Sequence, residues 1–328
     1  MINEKALEEI RDTLEKHILQ LNFEGEPKEL YEPISYLMQL GGKRIRPLLA
    51  LLSYGLFKDG YQKILTPAAA IEVFHNFTLM HDDIMDNAPI RRGRQTVHEK
   101  WDDNTAILSG DVMLVKAYEM LLEVETDKLH PALKLFSKTA AEVCEGQQLD
   151  MNFESLDQVS EEEYLNMIRL KTAVLLGFSL QLGAVLAGAS ESDALHLYDF
   201  GVNIGIGFQL KDDLLDVFAD KEKFGKQVGG DILANKKTYL LIKAKELAAG
   251  KEKAALEQWL AAKEFDPAEK VKAVTAIYEQ LEIREKTMNL MADFFEKGFN
   301  QLANIKVQKP EALQILWSLT RKLATREN

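Results

Sequence analysis

"TAVLLGFSLQLGAVLAGA" (172–189) runs for eighteen residues without a charge. Length and composition alone allow two readings, a membrane span or a buried helix of a globular protein. The residues favour the second. Lys171 stands directly before the stretch, Ser179 and Gln181 lie inside it, and Gly177, Gly183 and Gly188 interrupt it. A second stretch, 193–219, carries Gly201, Gly205 and Gly207 at similar density. Small residues let backbones approach closely. The two segments are therefore expected to pack together as buried helices in the middle of the fold, with no transmembrane segment.

Helical periodicity continues on both sides. Segments near 3–21, 28–39, 45–57, 66–87, 103–123, 131–149, 161–169, 237–249, 252–262, 267–297 and 309–325 read as helix. Breaks are expected at Gly25–Pro27, Lys58–Gly60, Pro89–Gly93, His130–Pro131, Gly188–Ser190 and Gly225–Gly230. Neither an alternating strand pattern nor a solenoid period is evident. The fold class is all-α, one domain over residues 1–328, with about ten or more long helices around a common apolar interior.

Composition agrees and excludes. With 46% hydrophobic residues, 328 residues suffice for a large core. A net charge of −12 argues against a nucleic-acid partner. The single cysteine, Cys144, excludes an intrachain disulfide and fits a reducing compartment, hence the cytoplasm. The first twenty residues are charged and helical in pattern, unlike a signal peptide.

"LMHDDIMDNAPIRRGRQTVH" (79–98) carries the first chemistry. Pro89 restrains Ala88 from the helical region, so the preceding helix should end near Asn87. Asp82 and Asp86 are four apart and share a face. Like charges at that spacing repel by a few tenths of a kcal/mol. They also sit at the helix end that disfavours anions. The pattern is no stability device. It recurs in "GFQLKDDLLDVFAD" (207–220), where Asp212, Asp213 and Asp216 interrupt an apolar helix. Buried carboxylates need partners or metals. Two such turns facing each other would form an oxygen-rich cage for a hard cation. Mg²⁺ characteristically takes one or two carboxylates plus substrate phosphates.

Basic groups flank both motifs. "GGKRIRP" (41–47) sets Lys43, Arg44 and Arg46 at a helix start, a setting that suits an anion. Arg91 and Arg92 follow the first acidic motif, Lys171 opens the long apolar helix, and Lys226 and Lys236 follow the second motif. Taken together, they point to a phosphorylated ligand held between acids and bases.

At this point the sequence resembles the trans-isoprenyl diphosphate synthases, or polyprenyl synthetases. The resemblance spans roughly residues 38–245 and rests on "GGKRIRP", "HNFTLMHDDIMDNAPIRRG", "KTA", "GFQLKDDLLD" and "FGKQVGGDILANKKT", in that order. It implies the isoprenoid-synthase type of helical fold and a homodimer. It implies that Asp82, Asp86, Asp212 and Asp216 hold three Mg²⁺ ions, with Arg91, Lys171, Lys226 and Lys236 on the diphosphate of an allylic substrate (dimethylallyl, geranyl or farnesyl). Lys43, Arg46, His75 and Arg92 would bind isopentenyl diphosphate. Thr172 and Gln209 would aim oxygens at the reacting carbons. Phe77, with Thr78 beside it, would limit product length. An aromatic residue there and no insertion within "DDIMD" resemble geranylgeranyl diphosphate synthases, with farnesyl diphosphate synthase the alternative.

Three rival readings differ in what they need. A terpene cyclase has no use for the Lys43/Arg46 site. A non-catalytic regulatory subunit of a heteromeric synthase tends to lose the aspartates, and both sets are present. A helical scaffold with acidic turns predicts no stabilisation by Mg²⁺ and a diphosphate analogue.

Overall fold

The computed structural model describes residues 2–219 and 229–325. These residues are overwhelmingly helical, as the periodicity requires. They divide into two compact units. One comprises Met1–Ser137, Phe178–Leu197 and Ile305–Ser318, the other Lys138–Gly177, Tyr198–Asn304 and Leu319–Asn328.

In the first unit lie α1 (Ile2–Leu19), α2 (Lys28–Gln39), α3 (Ile45–Gly55), α4 (Leu65–Met85), α5 (Val97–Lys100) and α6 (Asp103–Leu121). Residues Pro47 to Tyr54 of α3 are buried without interruption, so this helix is apolar on every side and belongs to the core. On α4, Ala68, Ala69 and Ala70 are fully buried and let neighbouring helices come close. Asp102 caps α6, accepting from the Thr105 N–H at 2.9 Å. An aromatic chain of Phe74, Phe136 and Phe178 fills the interior, with successive ring centroids 5.1 and 5.7 Å apart. Ser53 is buried but satisfied, donating to the Leu180 carbonyl at 2.6 Å.

The second unit contains the later part of α7 (Thr126–Ser155), then α8 (Glu161–Ile168), a π-helical turn (Arg169–Ala173), the start of α9 (Val174–Ala187) and most of α10 (Glu191–Phe218). Ser160 and Glu163 form a capping box that starts α8. The expected packing of glycine-bearing helices is present here. A Cβ at Gly201 would lie 2.7 Å from the Gly177 backbone, and one at Gly205 would lie 2.6 Å from Ala173. Gly207 departs from the expectation and faces the Phe295 ring of the helix Ile283–Leu302. The most apolar window of Glu161–Ala187 is 72% buried within the protein, the setting of a core helix.

Four details differ from the sequence reading. The segments 161–169 and 172–189 form one continuous run through the π-helical turn. α7 begins at Thr126 and carries Pro131 inside it, near enough to its start that the missing N–H removes only one early bond. The expected helix 267–297 is two, Pro267–Gln280 and Ile283–Leu302, parted where Glu282 adopts φ 56°. No glycine marks that break, so the sequence carries no signal for it. Finally, Ile90–Arg91 pairs antiparallel with Arg94–Gln95 as a small hairpin, too short for alternation to reveal.

Candidate active site

α4 carries His75, Phe77, Thr78 and Asp82, and Asp86 caps it. The helix closes in a Schellman turn. Asn87 adopts φ 48°, the Asn87 N–H reaches the Ile84 carbonyl at 3.2 Å, and the Ala88 N–H reaches that of Asp83 at 2.9 Å. The chain thus turns two residues earlier than Pro89 alone demands.

The three aspartates part company. Asp83 is 2% exposed and takes a bidentate grip from Arg91, whose Nε donates at 2.8 and 2.9 Å. Burial lowers the Arg91 pKa, but the bonds and charge of Asp83 more than reverse this, holding the guanidinium above its ordinary range. Asp82, half-buried, and Asp86, exposed, lie four residues apart. Asp83 is therefore a support and Arg91 is braced by it.

Beyond Arg91 the hairpin turns through Arg92 (φ 52°) and Gly93 (φ 76°), the two left-handed residues of a type I′ turn. The Arg92 guanidinium donates to the Gly41 carbonyl, and a Cβ on Gly42 would stand 3.1 Å from it. The glycine pair before α3 is thus the seat of Arg92. Arg44 corrects the sequence reading of three anion-binding cations. It is buried, donating to Glu72 at 2.7 Å, to the Met38 carbonyl at 2.8 Å and to Glu15 at 3.3 Å. It anchors the start of α3 instead.

Lys43, Arg46, His75 and Arg92, singled out together in the sequence, line one cavity of about 530 Å³ in the first unit. Arg46 Nη1 donates to His75 Nε2 at 3.1 Å, which leaves the imidazole proton on Nδ1. Burial, then the charges of Arg46 and Arg92, push the His75 pKa well below the usual histidine range. His75 is neutral and the cavity's positive charge comes from its lysine and arginines. Glu72 is the one carboxylate among the lining residues. Such a cavity suits a dense anion.

Phe77 is buried, edge-on to His81 at 4.8 Å between centroids and tilted on Phe74 at 5.5 Å. The Thr78 hydroxyl donates back to the His75 carbonyl at 2.8 Å.

In the second unit the acidic motif repeats the same division. Asp213 is 4% exposed, accepting from the Tyr164 hydroxyl and, at 3.1 Å, from the Gln209 amide. Burial raises its pKa to about 7. Asp212 is exposed and Asp216 half-buried. Asp216 Oδ2 accepts from the Asp231 N–H at 2.9 Å. Burial, followed by the charge of Asp216, raises the Asp231 carboxyl to about 6.

Lys171 and Thr172 sit on the π-helical turn, whose backbone Gly146 lets α7 approach closely. Such turns collect at functional positions. Lys171 donates to Asp150 at 2.6 Å, and Lys236 stands 3.8 Å from the same carboxylate. The Thr172 hydroxyl donates to Gln209 Oε1 at 3.1 Å. A continuous run, Thr172 to Gln209 to Asp213, with Tyr164 on the far side, orients both side chains. Lys226 lies outside the described residues.

The sequence reading missed Asp150, Tyr164 and Asp231. Asp231 stood unassigned within the quoted "FGKQVGGDILANKKT"; Asp150 and Tyr164 carried no signal beyond helical periodicity. Among the described residues no three carboxylates or histidines converge to hold an ion by themselves. Each motif offers oxygen donors in pairs, a set that fits Mg²⁺ with substrate phosphates completing its shell.

The family model for polyprenyl synthetase matches residues 27–279. A geranylgeranyl diphosphate synthase of Methanosarcina mazei is 44% identical over 243 residues, covering 72% of this chain and 75% of that protein. A short chain isoprenyl diphosphate synthase of Methanocaldococcus jannaschii is 46% identical over 231 residues, 70% of each chain. The crystal structure of a geranylgeranyl pyrophosphate synthetase from Pyrococcus horikoshii Ot3 matches with a TM-score of 0.91 at 33% identity, covering 99% of this chain and 100% of that one.

Proposed function

The chain belongs to the polyprenyl synthetase family, and we propose that it makes geranylgeranyl diphosphate by Mg²⁺-dependent head-to-tail condensation of isopentenyl diphosphate with allylic diphosphates. The observation that carries this reading is the cavity lined by Lys43, Arg46, His75 and Arg92. It is an anion site with no carboxylate pair of its own, apart from the acidic motifs. A condensing enzyme needs two diphosphate sites, one with metal and one without; a cyclase needs one.

Bound Mg²⁺ supplies electrostatic stabilisation to the departing diphosphate. Asp82, Asp86, Asp212 and Asp216 are its ligands in this reading. Arg91, Lys171 and Lys236, with Lys226, bind the same diphosphate. Arg91 reaches that role braced by Asp83, and Lys171 and Lys236 are neighbours through Asp150. Fixed cations of this kind need no reorganisation as charge develops. Thr172 and Gln209 keep lone pairs on oxygen even while bonded to each other, dipoles suited to an allylic cation. Neutral His75 accepts from Arg46 and so orients a cation without adding a charge. The apolar surroundings exclude water that would quench the cation. The released diphosphate is the base in this reading, so no side chain is assigned to take the proton.

Phe77, with Thr78 beside it, limits the product to twenty carbons. The protein acts as one domain over residues 1–328, in the cytoplasm, which fits one cysteine in 328 residues. It is a homodimer. Support comes from α6, where Leu108, Val115 and the cap residue Leu122, seven apart, are 57%, 56% and 57% exposed. Exposed apolar stripes of this kind mark protein contacts.

The test is incubation of the purified protein with isopentenyl diphosphate and each allylic primer, followed by product-length analysis. A twenty-carbon product is expected from all three primers. Accumulation of a fifteen-carbon product would overturn the length assignment, and absence of turnover would favour a regulatory subunit.

A further inference from the structure

Lys270 lies on the helix Pro267–Gln280 of the second unit, outside every motif, and none of its surface reaches solvent. Among the described residues it is the only lysine so buried, and no described carboxylate pairs with it. A buried charge is costly, so its contacts need a physical account. Its Nζ donates to Asn235 Oδ1 at 2.8 Å and to the Leu233 carbonyl at 3.3 Å, and it stands 4.2 Å from the centre of the Phe265 ring.

The two acceptors belong to one turn. The short helix Gly230–Leu233 ends in a Schellman motif whose left-handed residue is Asn235, at φ 53°. The Asn235 N–H reaches the Ile232 carbonyl at 3.2 Å and the Lys236 N–H reaches that of Asp231 at 2.9 Å. Asn235 is therefore the pivot that fixes Asp231 and Lys236 relative to each other. Its side chain is gripped at both ends, because Nδ2 donates to the Leu260 carbonyl at 3.2 Å. The Leu233 carbonyl is one of the terminal acceptors that a helix leaves unpaired, and a cation is favoured there. Gly229 seats the other end of the segment, where a Cβ would fall 2.6 Å from Val271, the neighbour of Lys270.

We propose that Lys270 is a positioning residue: by holding the Asn235 turn, it fixes Asp231 against Asp216 and sets the direction of Lys236 toward the allylic diphosphate. The proposal rests on the roles assigned above to Asp216 and Lys236.

Lys270→Met, Asn235→Gly and the double variant test it in the full-length protein. Methionine keeps the apolar stem without the charge, and glycine keeps the left-handed backbone without the gripped side chain. In Lys270→Met, KM for the allylic primer and the Mg²⁺ concentration for half activity should rise about tenfold, with KM for isopentenyl diphosphate within about twofold. Amide exchange over residues 229–238 should accelerate by about the same factor without ligand. Asn235→Gly should shift the same quantities in the same direction, and the double variant should be no worse than Lys270→Met. Unchanged allylic KM and exchange, equal rises for both substrates, or additive effects would overturn the proposal. Should Lys270→Met fail to fold, Asn235→Gly decides alone. Were the wild type inactive, the functional reading would fail, and the exchange comparison would still decide the positioning.

Discussion

Asp82 and Asp83 are adjacent on α4 and stand in different surroundings. Asp83 is sealed against Arg91, while Asp82 is half-buried and lies one helical turn from the exposed Asp86. Their alanine variants should separate accordingly. Asp82→Ala, like Asp212→Ala, should lower condensation by at least about 10²–10³-fold with the fold retained, because each removes a proposed metal ligand. Asp83→Ala should lower stability by ~3 kcal/mol, the low end for breaking a buried pair, since Arg91 keeps 24% of its side-chain surface. Denaturant melts and steady-state rates on the same preparations check both, and near-normal turnover in Asp82→Ala would sink its assignment. His75 gives a pH signature. Its folded pKa lies below the unfolded value, so the unfolded chain takes up its proton first as pH falls. The associated stability is complete above about pH 6.5 and is lost as pH drops through and below that value. His75→Gln removes the titration while glutamine can still accept from Arg46. The stability gap between wild type and variant should move against the wild type between about pH 7 and 5. Parallel stability curves would contradict a neutral, buried His75. The carboxylates, lysines and arginines at these positions were legible from charge spaced against helical periodicity. Asp83 and Arg44 carry the same charges as their neighbours, and only three-dimensional burial distinguishes a support from a ligand. Asp150 and Tyr164 were invisible for the converse reason, being ordinary polar residues on helices until packing brings partners to them.

Among the elements, α4 carries the most residues of the proposed site, and it was the easiest to read. A long run without glycine, ending before proline, left little freedom in its placement. Other elements were legible only in part. The break at Glu282 was not, because a left-handed glutamate costs only about 1–2 kcal/mol, which packing can supply. The π-helical turn at Arg169–Ala173 was not, because i→i+5 bonding leaves the composition of a helix unchanged. The close approaches of Gly177, Gly201 and Gly205 were readable as small residues on apolar helices, but the partner of Gly207 was not. On α4, Phe77 follows His75 by two positions and precedes Asp82 by five, about 7.5 Å along the axis. Its ring packs on Phe74 on one side and His81 on the other, so it would be a stiff limit in the proposed role. Phe77→Ala should lengthen the product beyond twenty carbons, read by chromatography of the hydrolysed alcohols, at a stability cost of about 3 kcal/mol for the lost ring. Unchanged length with intact activity would assign the limit to another residue.

The whole molecule carries a net charge of −12 while gathering Lys43, Arg46 and Arg92 around one cavity. Local positive potential in an acidic protein would draw a small anion to that cavity. The remaining large-scale feature is the apolar stripe on α6. Leu108, Val115 and Leu122 repeat every seven residues, a spacing that keeps one helical face toward a partner helix. Ile107, 42% exposed, widens the stripe at its start. Burying such side chains is worth about 1.5–3 kcal/mol each, and a two-fold contact counts every one twice. Lysine at Leu108 and Val115 together would place four like charges in that contact and remove its apolar core. Both positions are exposed on the single chain, so the fold should survive the change. Light scattering at micromolar concentration should report twice 37.1 kDa for the wild type and the single-chain mass for Leu108→Lys/Val115→Lys. Helical circular dichroism should be the same in both. A wild type of single-chain mass would remove the homodimer from the proposed function, and a variant that stays dimeric would move the interface to another face.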